Sequence, residues 1–178
     1  MHPDITEILY TEDEIANAIS SIGRQITADY ADKRLLLVSI LKGSFIFAAD
    51  LIRHIELDLA VDFIAVASYG AETKSSGVVR IIKDLEGPLE SYDILLVEDI
   101  VDSGLTLNYL RKYLRSLNPK SVEIAALLVK EVKQETPVEC KYVGFVCPDA
   151  FVVGYGLDYA ERYRYLPYIG VLDPKVYS

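Results

Sequence analysis

Leu95-Leu96-Val97-Glu98-Asp99-Ile100-Val101-Asp102-Ser103-Gly104-Leu105-Thr106 is the stretch on which the reading of this chain turns. The apolar run Ile94–Val97 has the composition of a buried strand and meets two adjacent carboxylates, Glu98 and Asp99. Asp102-Ser103-Gly104-Leu105-Thr106 follows, ahead of Leu107, Leu110, Leu114 and Leu117 at helical spacing. The order is strand, acidic lip, turn and helix start. Ligands of open α/β sheets gather at the carboxyl ends of strands. Neighbouring side chains on a strand point to opposite faces, so Glu98 and Asp99 are expected to serve separate tasks. Asp102, Ser103, Gly104 and Thr106 bring backbone N–H groups and hydroxyls to a helix N-terminus, where the macrodipole favours an anion. Phosphate is the natural guest, and carboxylates beside it call for a hard cation such as Mg²⁺, held by one or two carboxylates plus substrate oxygens. Phosphate, Mg²⁺ and a sugar diol are therefore expected together. Taken alone, the same residues also read as solvated strand-end carboxylates ahead of a plain helix cap.

Outward from this stretch, strands and helices alternate. Thr11 and Glu14 form a capping box, and Ile15, Ile19, Ile22 and Ile26 recur on one helical face. Leu35–Leu41 is a continuous apolar strand, broken by Lys42-Gly43-Ser44 ahead of a helix over Phe45–Ile55. Strands are expected at residues 59–68 and Val78–Ile82, with the small polar segment Gly70–Gly77 as a mobile loop between them. A helix follows to the region of Asn118-Pro119, then strands at Val122–Val129 and Tyr142–Val146. This is an α/β pattern with a twisted, mostly parallel sheet flanked by helices. No repeat or linker interrupts it, so residues 1–178 are expected to form one domain.

Composition excludes more than it proves. With 51% hydrophobic and 25% charged residues, 178 residues suffice for one substantial core. The net charge of −9 argues against a nucleic-acid partner. No apolar run approaches the roughly 20 residues that a membrane span requires. Cys140 and Cys147 stand in no metal-ligand cluster, and Met1-His2-Pro3-Asp4 has no signal-peptide pattern, so a reduced cytoplasmic protein with structural thiols is expected.

The string from Leu95 to Thr106 resembles the phosphoribosyl pyrophosphate signature of type I phosphoribosyltransferases. Four further stretches resemble the 6-oxopurine branch, the hypoxanthine-guanine phosphoribosyltransferases, and the likeness extends over residues 10–175. Leu41-Lys42-Gly43-Ser44 resembles the pyrophosphate loop with its non-proline cis peptide, although many relatives have a second glycine where this chain has Ser44. Ser68-Tyr69 resembles the start of the loop that closes over the reacting centre and excludes water. Lys130 follows Leu-Leu-Val, as does the lysine that donates to the purine 6-oxygen. Pro148–Tyr159 resembles the purine-binding block.

The resemblance implies a small hood over the active site, built from the N-terminal segment and about residues 151–178, above a core of about residues 30–150. It implies transfer of the 5-phosphoribosyl group from 5-phosphoribosyl 1-pyrophosphate to hypoxanthine or guanine. In that chemistry Asp102 takes the proton from purine N7, and Asp102, Ser103, Gly104, Leu105 and Thr106 cradle the 5′-phosphate. Glu98 and Asp99 hold ribose and metal, while Lys42, Gly43 and Arg164 bind pyrophosphate. Lys130, Phe151, Val152 and Asp158 form the purine site, with Asp158 also near a Mg²⁺. Arg162 is expected to be merely exposed. Mg²⁺ is the implied cofactor, the small-molecule substrates are the implied partners, and a homodimer or homotetramer is the implied assembly. A xanthine-accepting enzyme and a non-catalytic regulator on the same fold share much of this pattern.

Overall fold

The computed structural model describes residues 1–68, 79–132 and 136–177. Strand β1 (Ile5–Tyr10) leads into helix α1 (Glu12–Asp29), whose Ile15, Ile19, Ile22 and Ile26 are each no more than 3% exposed. Burying each isoleucine contributes at most about 1.5–3 kcal/mol. The chain then alternates: β2 (Leu35–Leu41), α2 (Phe45–Ile52), β3 (Ala60–Ser68), β4 (Val79–Lys83), β5 (Asp93–Val101), α3 (Leu105–Ser116), β6 (Ser121–Lys130) and β7 (Tyr142–Cys147). Six strands form one sheet in the order β4-β3-β2-β5-β6-β7. All its pairings are parallel except β3 with β4, which is the mixed, mostly parallel sheet expected from the sequence.

Strand periodicity divides the core. Leu35, Leu37, Leu95 and Val97 pack in one cluster with α1 and α2, while Leu36, Val38, Ile94 and Leu96 pack in another with Leu107, Leu110 and Leu114 of α3. The sheet is therefore covered on both faces, which explains why β2 and β5 read as continuous apolar runs.

A second, antiparallel sheet joins β1, β9 (Ile169–Leu172) and β8 (Val152–Val153) in the order β1-β9-β8. Ile5, Val153, Tyr163, Leu166 and Leu172 form its small core.

Three local expectations shift. The second helix stops at Ile52 because the N–H groups of Arg53, His54 and Ile55 turn to carbonyls three residues back, although Ile55 still reaches the core. Glu98 and Asp99 do not end their strand. Pairing with β2 stops at Val97, but pairing with β6 continues through Ile100↔Leu128 to Val101↔Val129. Ser68 ends β3 opposite Val79, whereas Tyr69 and the segment Gly70–Gly77 lie outside the described residues.

Candidate active site

The strand order reverses between β2 and β5, since the chain moves from β2 to β3 on one side and from β5 to β6 on the other. Such a switch point opens a crevice at the carboxyl ends of the strands. The candidate residues converge there. After β2 the chain turns through Lys42-Gly43-Ser44, with a cis Leu41–Lys42 peptide. A Cβ on Gly43 would lie 1.6 Å from Asp99 Oδ2, so any other residue here would have to push the Asp99 carboxylate aside. Ser44 faces inward: its hydroxyl donates to the Ile40 carbonyl at 2.7 Å and shares a hydrogen bond of 2.8 Å with Ser39. Its side chain thus pins the turn from below and leaves the crevice to backbone and Lys42.

On β5 the two acids occupy different surroundings. Burial pushes Glu98 well above the usual carboxylate range, and the Asp99 charge adds to this. Burial likewise raises Asp99, to about 6, against the opposing donation from the Ile100 N–H and the attraction of Arg164; Asp158 reinforces the rise. Both are half-buried carboxylates short of positive charge.

Beyond β5, Gly104 adopts φ 78 and begins α3 with no side-chain cap and no acid in the first turn. A Cβ there would meet the Thr136 carbonyl at 2.2 Å, so both space and conformation demand glycine. Ser103 Oγ accepts from the Leu105 N–H at 3.4 Å. Glu98, Asp102, Ser103, Gly104 and Thr106 line a cavity of about 110 Å³ at this helix start.

A second cavity, of about 200 Å³, adjoins it through Ile100 and Asp102 and is lined further by Lys130, Phe151, Val152 and Asp158. The β5–β6 register explains how Lys130 arrives. Val101 pairs with Val129, so the next residues, Asp102 and Lys130, stand side by side, with Nζ 3.0 Å from Asp102 Oδ2 and 3.5 Å from Asp149 Oδ1. Burial works against the ammonium, but the two carboxylates outweigh it and hold Lys130 above its ordinary value. Phe151 stacks on Tyr177, with ring centroids 5.0 Å apart, and meets Tyr159 edge-on at 5.5 Å. Arg164 donates to the Gly156 carbonyl at 2.7 Å and pairs with Asp158 at 2.9 Å and Glu161 at 3.2 Å. Arg162 is largely exposed and reaches Asp4 at 3.4 Å.

Several participants escaped the sequence reading. Ile100 and Leu157 line the second cavity, Asp149 pairs with Lys130, Tyr177 supports Phe151 and Glu161 joins Lys42 to Arg164. Strand alternation from Glu98 could have pointed to Ile100. The others depend on contacts made by turns.

A family model for the phosphoribosyl transferase domain matches residues 5–160. The chain belongs to the phosphoribosyltransferase family. Within it, the chain is 51% identical to the hypoxanthine-guanine phosphoribosyltransferase of Bacillus subtilis over all of this chain and 99% of that protein. It is 50% identical over its full length to the bifunctional protein TilS/HprT of Listeria innocua, of which it spans only 28%. A solved hypoxanthine phosphoribosyltransferase structure from Staphylococcus aureus superposes with a TM-score of 0.96 at 49% identity, covering all of this chain and 97% of that one. The type I phosphoribosyltransferase fold and the 6-oxopurine branch are those expected from residues 95–106 and 148–159.

Proposed function

We propose that this protein is a purine salvage enzyme that transfers the 5-phosphoribosyl group from 5-phosphoribosyl 1-pyrophosphate to N9 of hypoxanthine or guanine, releasing pyrophosphate. The observation that carries this reading is the placement of Asp102 between two adjoining cavities, one at an uncapped helix start and the other lined by Lys130 and Phe151. A phosphate fits the first and a planar base the second. Turnover with 5-phosphoribosyl 1-pyrophosphate and a panel of hypoxanthine, guanine, xanthine, adenine and uracil tests it. Hypoxanthine and guanine should be converted, and a preference for adenine or uracil would refute the base assignment.

In this reading Ser103, Gly104, Leu105 and Thr106 hold the 5′-phosphate through N–H groups and hydroxyls at the α3 N-terminus. Phe151 and Val152 bracket the base. N7 and the 6-oxygen are neighbours on a 6-oxopurine, as Asp102 and Lys130 are neighbours here. Lys130 donates to the oxygen, while Asp102 accepts the N7 proton as N9 attacks C1′. Lys42, the Gly43 backbone and Arg164 stabilise the departing pyrophosphate. Glu98 and Asp99 anchor the ribose hydroxyls.

Mg²⁺ fits the donor set. Glu98 and Asp99 are oxygen ligands whose burial leaves their charge uncompensated, and Asp158 is close enough to act on Asp99. An ion held there by one or two carboxylates would be completed by substrate oxygens and water. When bound, Mg²⁺ neutralises pyrophosphate charge. Excess chelator should abolish turnover, and Mg²⁺ should restore it.

We assign the whole chain to one domain, with β1, β8 and β9 in the hood, and propose a homodimer or homotetramer in the cytoplasm. Among the described residues, no helix is long and apolar enough to cross a membrane. Sedimentation at micromolar concentration tests the assembly.

A further inference from the structure

The turn from Asp158 to Arg164 contains an acid that the proposed chemistry leaves unused. Glu161 sits in the left-handed region at φ 63, with its N–H donating to Asp158 Oδ2 at 2.9 Å. This turn places its carboxylate between two cations that come from distant parts of the chain. Oε1 accepts from Lys42 Nζ at 2.9 Å, and Oε2 accepts from Arg164 at 3.2 Å. Lys42 follows β2, whereas Arg164 lies beyond β8. One carboxylate therefore offers each cation an anionic oxygen, which is what a phosphoryl group of pyrophosphate would offer the same pair.

We infer that Glu161 is a resident anion that occupies the place of pyrophosphate between Lys42 and Arg164 and must be displaced by it. This deepens the reading of those two cations as the pyrophosphate site and rests on it. The exchange is feasible because the Lys42 and Glu161 side chains are 68% and 65% exposed, so water readily solvates both when they part. Arg164 keeps its bonds to Asp158 and Gly156 throughout, so one cation stays in place while the other is released. Glu161 thereby lowers affinity for pyrophosphate and 5-phosphoribosyl 1-pyrophosphate. It leaves untouched the affinity for a nucleotide that carries no pyrophosphate.

Calorimetric titration of magnesium pyrophosphate, and separately of inosine 5′-monophosphate, into the full-length wild type, Glu161→Gln, Lys42→Ala, Arg164→Ala and the Lys42→Ala/Glu161→Gln pair tests this. Glu161→Gln should tighten pyrophosphate roughly 2- to 30-fold, the span expected when Lys42 and Arg164 lose their ion pairs to one largely exposed carboxylate. The monophosphate Kd should not change, and the gain should shrink when Lys42 is already absent. Glu161→Ala carries the same expectation should the glutamine variant misfold. If Lys42→Ala weakens pyrophosphate binding but Glu161→Gln leaves it unchanged or weaker, the inference falls and the pyrophosphate site stands. If neither Lys42→Ala nor Arg164→Ala affects pyrophosphate, the site assignment falls and the inference with it.

Discussion

Helices α1 and α3 solve the problem of their exposed N-terminal N–H groups in opposite ways. At α1 the Thr11 hydroxyl accepts from the Glu14 N–H at 3.3 Å, the Glu14 carboxylate accepts from the Thr11 N–H at 2.8 Å, and Glu12, Asp13 and Glu14 place three negative charges in the first turn. The Thr11 N–H, followed by its hydroxyl, holds Glu14 below its usual range. At α3 there is a left-handed glycine, no side-chain cap and no acid, and the first turn lines a cavity. The first helix completes itself, whereas the second reserves its terminus for an anion from outside. Leu107, Leu110 and Leu114, all buried, offset the missing cap.

Substitutions around α3 should change chemistry, and those around α1 should change stability alone. The largest effect belongs to Asp102. Asp102→Asn keeps the shape of both cavities but removes the proton acceptor, and kcat should fall roughly 10²- to 10⁴-fold with binding of 5-phosphoribosyl 1-pyrophosphate largely kept. Near wild-type turnover would exclude Asp102 as the base.

Thr106→Glu would supply α3 with the kind of acid α1 already has. Displacing a charge-assisted contact costs about 1.5–3 kcal/mol, so the Kd for inosine 5′-monophosphate should rise on the order of 10- to 150-fold. An unchanged Kd would mean that the phosphate sits elsewhere.

Lys130→Ala probes the adjoining cavity. Loss of one donor to the 6-oxygen should lower kcat/KM for hypoxanthine and guanine by on the order of 10- to 100-fold and narrow their advantage over adenine. The KM for 5-phosphoribosyl 1-pyrophosphate should move far less, and an equal shift in both would point to a general disturbance of the site.

Thr11→Ala gives the smallest effect and serves as the counterpart. Loss of the cap should lower Tm by roughly 2–4 °C with kinetic constants unchanged. Altered catalysis in this variant would break the division of labour between the two helices.

The contrast was half legible in the sequence. Thr11 and Glu14 announce α1 because a capping box is local, and Asp102–Thr106 announce an anion site because the chemistry is written within five neighbouring residues. The parallel core was legible for a similar reason: β2 and β5 carry their burial as unbroken apolar runs. β1, β8 and β9 were not, since they are two to six residues long and pair across the chain, as Ile5 does with Leu172. Lys130 was placed at a strand end, but its position beside Asp102 follows from the register of β6 on β5. Glu161 carried no pattern at all. Its significance arises when a turn brings Lys42 and Arg164 to one carboxylate.

The central claim is that the α3 terminus receives the 5′-phosphate of a purine nucleotide. Titrating the wild-type protein with inosine 5′-monophosphate and with inosine, identical but for that phosphate, tests it most directly. At least two charge-assisted hydrogen bonds at the helix start predict that the nucleotide binds tighter by on the order of 10²-fold or more. Equal affinities for nucleotide and nucleoside would contradict the account.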